Sequence, residues 1–259
     1  SAEDGGVQGA AVRRAEPVAI LETRRLVKRF GGLVAVNGVS LAVERGEIFG
    51  LLGPNGAGKT VFLSCVAGAL RPDGGRVILA DADTTDWTPE RKCHFGLSRT
   101  FQIPQPFPRL SVLENVLIAA QFGGPAGSQR NPPAVARECL ALVEFLRQED
   151  VPASNLNTVE LKRLDLARAL ASQPRLLLLD ELASGLMTGQ LGPLMSIIRR
   201  VRESGVTILM VEHIMPTILG LCDRVAVLHY GEKIAEGPTQ DAARDPKVIE
   251  AYLGERRAG

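Results

Sequence analysis

Residues 53–60 read GPNGAGKT and fit the phosphate-binding pattern G-x-x-x-x-G-K-[ST] at every required position. The apolar run at 48–52 is typical of a buried strand, and residues 60–70 (TVFLSCVAGAL) predict a helix. The glycines allow backbone N–H groups to approach phosphate oxygens closely, because no Cβ stands in the way. The stretch therefore predicts a strand, a phosphate-binding loop and a helix, which is the start of an α/β fold.

The loop also assigns roles to its last residues. Lys59 supplies a mobile positive charge for the β- and γ-phosphates of a nucleotide, and the Thr60 hydroxyl is the expected Mg²⁺ ligand. The helix that follows adds a favourable partial charge at its N-terminus. The residues expected to contact the nucleotide are Gly53, Pro54, Asn55, Gly56, Ala57, Gly58, Lys59, Thr60 and Val61.

Composition narrows the classes of partner. The 259 residues include 30 Lys+Arg and 29 Asp+Glu, a balance that argues against binding to duplex DNA or to an anionic membrane surface. Four cysteines at unrelated spacings indicate a reducing compartment. Residues 1–18 are predicted to be a disordered tail, and no stretch reaches the ~18 consecutive apolar residues of a membrane span. We therefore expect a cytoplasmic protein that binds no nucleic acid and reaches a membrane only through a partner.

The remaining apolar runs predict further strands. Strands are expected at 18–26 and 36–43, separated by a turn at Gly31 and Gly32. Nearly all-apolar runs are typical of strands buried on both faces of a parallel sheet; they lie at 176–179, 206–211 and 225–228, and a further strand is expected at 76–80. Between prolines and glycines at 104–108 and 123–133 lies an amphipathic stretch at 110–120, and the region from 104 to 171 has a helical pattern.

Two carboxylates, Asp180 and Glu181, follow the apolar run at 176–179. The C-terminal edge of a parallel sheet is where ligands of such folds bind, so Asp180 can hold Mg²⁺ directly or through water. Glu181 is placed to polarise an attacking water as a general base. An acidic pair at a strand end is more often a helix N-terminal charge, and only its combination with the phosphate-binding loop favours catalysis.

The order of these motifs resembles that of an ABC-transporter nucleotide-binding subunit. GPNGAGKT is followed by RTFQ at 99–102, LKRLDLARAL at 161–170, LLLLDE at 176–181 and VEH at 211–213. Within that family, FGGLVAVNGVSL at 30–41, FPRLSVLENV at 107–116 and AYLGE at 251–255 are most similar to the ATPases of branched-chain amino acid importers and their relatives for amides, urea or aromatic acids. The resemblance covers residues 19–254.

The resemblance implies the architecture and the partners. It implies a P-loop (RecA-like), mostly parallel sheet core formed by 19–103 and 172–259, with an N-terminal antiparallel β subdomain and an inserted helical subdomain at 104–171. ATP and Mg²⁺ are the implied cofactors. The implied partners are a second ATPase subunit, two membrane permease subunits and, indirectly, a solute-binding protein. The chain would then lie peripherally on the cytoplasmic face of the plasma (inner) membrane.

The resemblance also implies roles for residues that local patterns leave unassigned. Phe30 matches the aromatic that stacks on adenine, although a Phe in an apolar turn is as often core. Gln102 matches the glutamine that contacts Mg²⁺ and the water, and His213 matches the switch histidine at the γ-phosphate. The implied catalytic residues are Glu181, His213 and Gln102, and the implied Mg²⁺ ligands are Thr60, Gln102 and Asp180.

Three departures from the family pattern concern contacts with nucleotide and partner. Val61 replaces a second hydroxyl residue and cannot donate to the α-phosphate, and Met187 stands where an aspartate is common. The LSGGQ-type signature is Leu156 followed by Asn157, Thr158, Val159 and Glu160. In ABC dimers the signature contacts the ATP held by the partner, so this departure predicts a heterodimer with unequal sites. Asn157 and Glu160 still predict a capping box.

Two functions therefore remain open. One is an ATP-hydrolysing subunit that energises an importer for branched-chain amino acids or related small solutes. The alternative is a nucleotide-binding module that docks or regulates with little hydrolysis of its own, favoured by the altered signature. An ABC ATPase acting on nucleic acid or ribosomes is disfavoured, because such proteins normally fuse two of these domains. The segment 104–116 is expected to dock a permease helix, and the transported solute would bind to other chains.

Overall fold

A computed structural model describes residues 18–125, 131–145, 149–213 and 215–256. The predicted tail at 1–18 lies, except for its last residue, outside the described residues. Within those ranges, no helix combines the length and the apolar character needed to cross a lipid bilayer.

The N-terminal unit is a four-stranded antiparallel sheet. Its strands are β1 (Ala19–Phe30), β2 (Leu33–Glu44), β4 (Gly74–Leu79) and β5 (Ala82–Asp83), in the order β2-β1-β4-β5. The sequence predicted β1 and β2 too short, at 18–26 and 36–43. Their ladder continues to the pair Phe30 and Leu33 because Gly31, with φ of 56°, closes a tight hairpin there.

The second sheet has six strands and is parallel except at one edge. Its strands are β3 (Ile48–Leu52), β6 (Leu97–Arg99), β7 (Leu176–Asp180), β8 (Thr207–Val211), β9 (Arg224–His229) and β10 (Glu232–Pro238), in the order β10-β9-β3-β8-β7-β6. Only β10 pairs antiparallel, with β9. Every residue of β3, β7 and β8 is buried, which confirms the interpretation of the apolar runs.

The described residues also form nine α-helices and one 3₁₀ turn. They are α1 (Lys59–Ala67), α2 (Pro89–His94), α3 (Val112–Phe122), α4 (Pro132–Leu142), a 3₁₀ turn at Ala153–Asn155, α5 (Thr158–Ala171), α6 (Thr188–Glu203), α7 (Met215–Leu221), α8 (Thr239–Ala242) and α9 (Pro246–Arg256). The predicted helix at 60–70 was too long: α1 ends at Ala67, because its C-cap Gly68 has φ of 82° and lies so close to Trp87 O that a Cβ would clash at 2.6 Å.

Prolines act differently at the two predicted loops. Residues 104–110 are a loop, two residues longer than the one predicted at 104–108, and α3 begins after the capping residue Ser111. The loop predicted at 123–133 ends earlier, because Pro132 and Pro133 occupy the first turn of α4, where a missing N–H costs nothing.

Strand β7 divides the core into two halves. Its side chains alternate, so that Leu177 and Leu179 pack in one apolar cluster with α3, α4, α5 and α9, while Leu176 and Leu178 pack in the other with α1 and the antiparallel sheet. The parallel sheet therefore lies between the helical insert and the N-terminal unit. The α/β fold class, with its antiparallel unit and inserted helices, is as predicted.

Candidate nucleotide site

The phosphate-binding loop connects β3 to α1 and is shaped by its glycines. Gly53 has φ of 146° and Gly58 has φ of 98°. A Cβ at Gly53 would lie 2.2 Å from Leu228 O, and one at Gly58 would lie 2.2 Å from Ala35 O. Both positions therefore require glycine, because backbone from β9 and β2 encloses the loop.

Lys59 links the end of the phosphate-binding loop to its beginning. Its side chain is buried, and Nζ donates to Gly53 O at 2.6 Å and to Pro54 O at 2.8 Å. These carbonyls hold the ammonium group beside the loop whose N–H groups would surround a phosphate. The charge is thus in place for a nucleotide.

A cavity of about 450 Å³ is lined by the phosphate-binding loop, by Phe30, which is expected to stack on adenine, and by Glu181, the expected general base. Phe30 lines it at one end and is 47% exposed, so it is not core, and Lys28 Nζ lies 5.5 Å from its ring centre. Glu181 lines the other end. The residues lining the cavity are Phe30, Leu33, Val34, Ala35, Asn55, Gly56, Ala57, Gly58, Lys59, Thr60, Val61, Glu181 and Tyr230.

Tyr230 was not singled out from the sequence. It lies in the hairpin between β9 and β10, is 82% exposed and lines the same cavity as Phe30. The hairpin is attached to the loop, because Gly231 N donates to Ala57 O at 3.1 Å. The only local signal was a Tyr-Gly pair, which indicates a turn and says nothing of its neighbour in space.

The predicted catalytic side chains meet at one carboxylate oxygen. Glu181 Oε2 accepts from Gln102 Nε2 at 2.7 Å and lies 4.0 Å from His213 Nδ1. Glu181 has φ of 47°, and its N–H donates to Val211 O at 2.9 Å, which ties the end of β7 to the end of β8. The arrangement brings a carboxylate, an amide and an imidazole together beside the phosphate-binding loop, which is a set of groups able to orient and deprotonate a water.

Asp180 is paired with an arginine that the sequence analysis missed. Arg99 Nη2 donates to Asp180 Oδ2 at 2.6 Å, and Arg99 Nη1 donates to Ser64 Oγ at 3.1 Å in α1. Both charged side chains are largely buried, with exposures of 12% for Arg99 and 2% for Asp180. The signal was an arginine ending a short strand next to the acidic strand end, but only the pairing of β6 with β7 makes them partners.

The residues present fit a Mg²⁺ ion. Asp180 Oδ1 is buried and has no hydrogen-bond partner among the described residues, so one oxygen remains for a ligand. Within the described ranges no three His, Cys, Asp or Glu side chains form a metal cluster. Mg²⁺ commonly takes one or two protein ligands together with nucleotide phosphates and water, so one free carboxylate oxygen on Asp180 is sufficient for the fit.

Glu212 follows the last residue of β8 and directly precedes His213. Its Oε1 accepts from Ala183 N at 2.7 Å, and Oε2 is buried without a hydrogen-bond partner among the described residues. Burial raises the pKa of Glu212 to about 7. Burial also lowers the pKa of Lys162, which donates to Leu182 O at 2.9 Å.

The altered signature lies at the N-terminus of α5. Its residues are not among those that line the cavity. Asn157 Oδ1 accepts from Glu160 N at 3.1 Å, and Glu160 Oε2 accepts from Asn157 N at 2.9 Å, so the predicted capping box is confirmed. The Glu160 carboxylate therefore already occupies the positive end of this helix. Asn157 and Thr158 are exposed, and Val159 is half-buried.

A loop beside Gln102 presents apolar side chains outward. Phe101, Ile103 and Phe107 are 55%, 75% and 46% exposed. The loop is held in shape by Asn115, whose buried amide donates to Phe107 O at 3.0 Å and accepts from Phe107 N at 2.8 Å. Its conformation is thus fixed by a side chain of α3.

Two family models match the chain. Residues 36–184 match the family described as ABC transporter, and residues 232–258 match the family described as branched-chain amino acid ATP-binding cassette transporter. The second match covers β10, α8 and α9, a part of the chain that carries none of the predicted site residues.

Proteins similar to the whole chain are also known. The probable branched-chain amino acid transport ATP-binding protein LivG of Archaeoglobus fulgidus is 37% identical over 91% of this chain and 95% of its own length. The ADP conformation of MJ1267, an ATP-binding cassette of an ABC transporter, is 31% identical over 92% of this chain and 99% of that one, with a TM-score of 0.84. MJ0796, a dimeric bacterial ABC transporter cassette, is 25% identical over 85% of this chain and 98% of that one, with a TM-score of 0.75.

Proposed function

Because the chain belongs to the ABC transporter family as an ATP-binding cassette, we propose that it energises an importer of branched-chain amino acids. ATP binding and hydrolysis are the activity of this family. The C-terminal match at 232–258 and the LivG relative support the choice of solute class. The single observation that carries the catalytic part is the cavity in which Phe30, the phosphate-binding loop and Glu181 face one another.

The residues in and beside the cavity have separate roles in this proposal. Phe30 stacks on the adenine, and the loop N–H groups and Lys59 bind the phosphates. Thr60, Asp180 and Gln102 are the proposed holders of Mg²⁺, which when bound neutralises charge on the β- and γ-phosphates.

The proton is handled by this chain's own residues. Glu181 accepts it from the attacking water at Oε2, the oxygen to which Gln102 donates. Oε2 is thus held by Gln102 before the water arrives, and His213 Nδ1 lies 4.0 Å from the same oxygen, from where it would contact the γ-phosphate. A movement of Glu181 when the bound nucleotide changes would displace Gln102 first, because the two side chains are hydrogen-bonded to each other.

The loop beside Gln102 is the proposed docking surface for a permease. Its apolar side chains Ile103 and Phe107 are exposed on a segment that Asn115 holds rigid, which suits a preformed surface for an apolar helix. Two permease subunits, a solute-binding protein and a second ATPase would complete the transporter. The chain would then work peripherally at the cytoplasmic face of the plasma membrane.

The altered signature supports a heterodimer with unequal sites. In such a dimer the N-terminus of α5 would face the ATP held by the partner, and the Glu160 carboxylate would repel its γ-phosphate. The β-branched side chains of Thr158 and Val159 would also crowd a backbone approach that glycine allows. The ATP bound to this chain's own loop would instead meet whatever signature the partner supplies.

Reconstitution tests the proposal. The chain, its partner ATPase and its two permeases are purified together, placed in liposomes, and supplied with ATP inside and the solute-binding protein with labelled leucine outside. ATP-dependent leucine uptake that disappears with Glu181→Gln is the expected result. Robust ATP hydrolysis without uptake of leucine, isoleucine or valine would contradict the solute class. Ile103→Asp should abolish uptake and spare nucleotide binding, which separates docking from nucleotide binding.

The alternative function is a docking or regulatory module with little hydrolysis. It is favoured by Glu160 at the helix terminus and by Met187, which is 76% exposed at the start of α6. Turnover of the assembled complex that is unchanged by Glu181→Gln would support it.

A further inference from the structure

The closing segment AYLGE at 251–255 reaches back to the start of the phosphate-binding loop. It lies in α9, and Tyr252 Oη accepts a hydrogen bond from Gly53 N at 2.9 Å across 199 residues of sequence. We propose that Tyr252 is a positioning residue, whose hydroxyl sets the loop in its phosphate-binding conformation before a nucleotide arrives. The inference concerns nucleotide binding and does not depend on the solute transported.

The hydrogen bonds at Gly53 fix both of its peptide planes. The N–H side is held by the Tyr252 hydroxyl, and the carbonyl side accepts from Lys59 Nζ at 2.6 Å. The rotation between these two planes is the φ and ψ of Gly53, where φ is 146°, a value that only glycine adopts readily. Glycine has more backbone conformational entropy to lose than any other residue. The two hydrogen bonds therefore restrict the backbone at a position that would otherwise be very flexible.

Helix α9 is well placed to hold the hydroxyl still. Val248 and Ala251 are buried, with exposures of 5% and 6%. Val248 belongs to the same apolar cluster as Val225 and Val227 of β9, and the Tyr252 side chain packs against that cluster. Strand β9 also supplies Leu228 O, the carbonyl that excludes a Cβ at Gly53. Helix α9 packs on β10, which pairs with β9, so the helix and the loop are held by neighbouring strands of one sheet.

This connection predicts a particular kind of defect when the hydroxyl is lost. The Gly53 N–H would keep its place in the chain but lose its partner, and the loop would sample other conformations before binding. The affinity for every nucleotide that uses the loop would fall by the same factor. The chemical step would be spared, because the bound loop is the same in the ground state and the transition state.

Tyr252→Phe is the test, since it removes one oxygen and keeps the ring. Isothermal titration of the full chain with ADP and with ATP should show affinities lower by about threefold to tenfold, the range expected for one hydrogen bond. In the assembled transporter, KM for ATP should rise by the same factor while kcat stays within about twofold.

Val248→Ala is the matched control in the same helix. It removes buried apolar contact without touching the hydroxyl, so it should lower Tm and leave both affinities within about twofold of the parent. Unchanged affinities in Tyr252→Phe would overturn the proposal. So would an equal loss of affinity in both variants, because the effect would then come from the packing of the helix, or a fall in kcat with KM unchanged.

Discussion

The phosphate-binding loop and the signature of this chain differ in how closely they follow the family pattern. At the first, Lys59, Asp180, Glu181 and His213 are all present, and glycine stands wherever neighbouring backbone excludes a Cβ. At the second, the β-branched Thr158 and Val159 stand at the N-terminus of α5, and Glu160 completes a capping box with Asn157. One end is built for a nucleotide, and the other satisfies its helix terminus internally.

The difference shows that side chains can stabilise a helix terminus without keeping the groups that a phosphate contact requires. A capping box requires only a short polar side chain at the first position and a carboxylate or amide three residues later. A phosphate contact requires free N–H groups and room for them to approach. Asn157 and Glu160 meet the first requirement and work against the second. The α5 terminus therefore forms with residues that, in the proposed heterodimer, would weaken contact with the partner's ATP.

Replacing the proposed general base should have the largest effect on activity. Glu181→Gln keeps the shape of the side chain and removes its basicity, so ATP turnover of the assembled complex should fall by roughly 10²- to 10⁴-fold with nucleotide affinity unchanged. Lys59→Ala should instead weaken ATP binding. Titration calorimetry and a phosphate-release assay on both variants distinguish the two defects. Equal turnover in Glu181→Gln and the parent would remove Glu181 from the chemistry.

Breaking the buried ion pair should have the largest effect on stability. Arg99→Met leaves the Asp180 carboxylate buried without its cation, so the free energy of unfolding should fall by about 3–5 kcal/mol. Arg71→Met is the matched control, because Arg71 pairs with Asp86 at 2.9 Å on the surface, where such a pair contributes about 0–1 kcal/mol. Denaturant titrations that give the same loss for both variants would refute the structural role of Arg99.

Protonation of Glu212 should make stability depend on pH. Its pKa in the folded protein is about 7, raised from 4.5, so between these values the folded chain retains a proton that the unfolded chain has released. The stabilisation is complete below about pH 4.5 and is lost as the pH rises through 7, a change of about 3 kcal/mol.

Glu212→Gln should remove this component of the pH profile, because the amide is neutral throughout. Urea denaturation between pH 4.5 and 7.5, with the exposed Glu203→Gln as control, isolates the contribution of Glu212. Parallel profiles for all three proteins would contradict it.

Restoring the signature should have the smallest effect of the four. Asn157→Ser with Val159→Gly reopens the approach of the α5 terminus to a phosphate, and each recovered charge-assisted hydrogen bond should strengthen ATP-dependent closure by about tenfold or more. Val159→Ala is the control, since it removes the β-branch but keeps a Cβ. The population of ATP-dependent dimer, measured by light scattering, should rise only with glycine. No change in the restored variant would mean that the signature residues do not limit closure.

The sequence predicted the features that local patterns determine. The loop at 53–60, the buried strands and the capping box at Asn157 follow from spacing and residue type. The meeting of Gln102, Glu181 and His213 was implied by the family resemblance. Three features depended on packing between distant segments and could not be predicted: Arg99 lies 81 residues from Asp180, Tyr252 lies 199 residues from Gly53, and Glu212 is an ordinary carboxylate until burial raises its pKa. Strand and helix ends were also missed where a tight glycine turn or a backbone clash decided them.

We propose that ATP is hydrolysed mainly at the site that uses this chain's Glu181. The most direct measurement is the ATP turnover of the transporter assembled with either Glu181→Gln in this chain or the same substitution at the corresponding glutamate of the partner ATPase. We predict that Glu181→Gln abolishes most turnover and that the partner's substitution has the smaller effect. Equal losses from the two substitutions would show that the two sites contribute equally to hydrolysis. An ATP-dependent homodimer of this chain alone with full and symmetric turnover would contradict the proposed heterodimer.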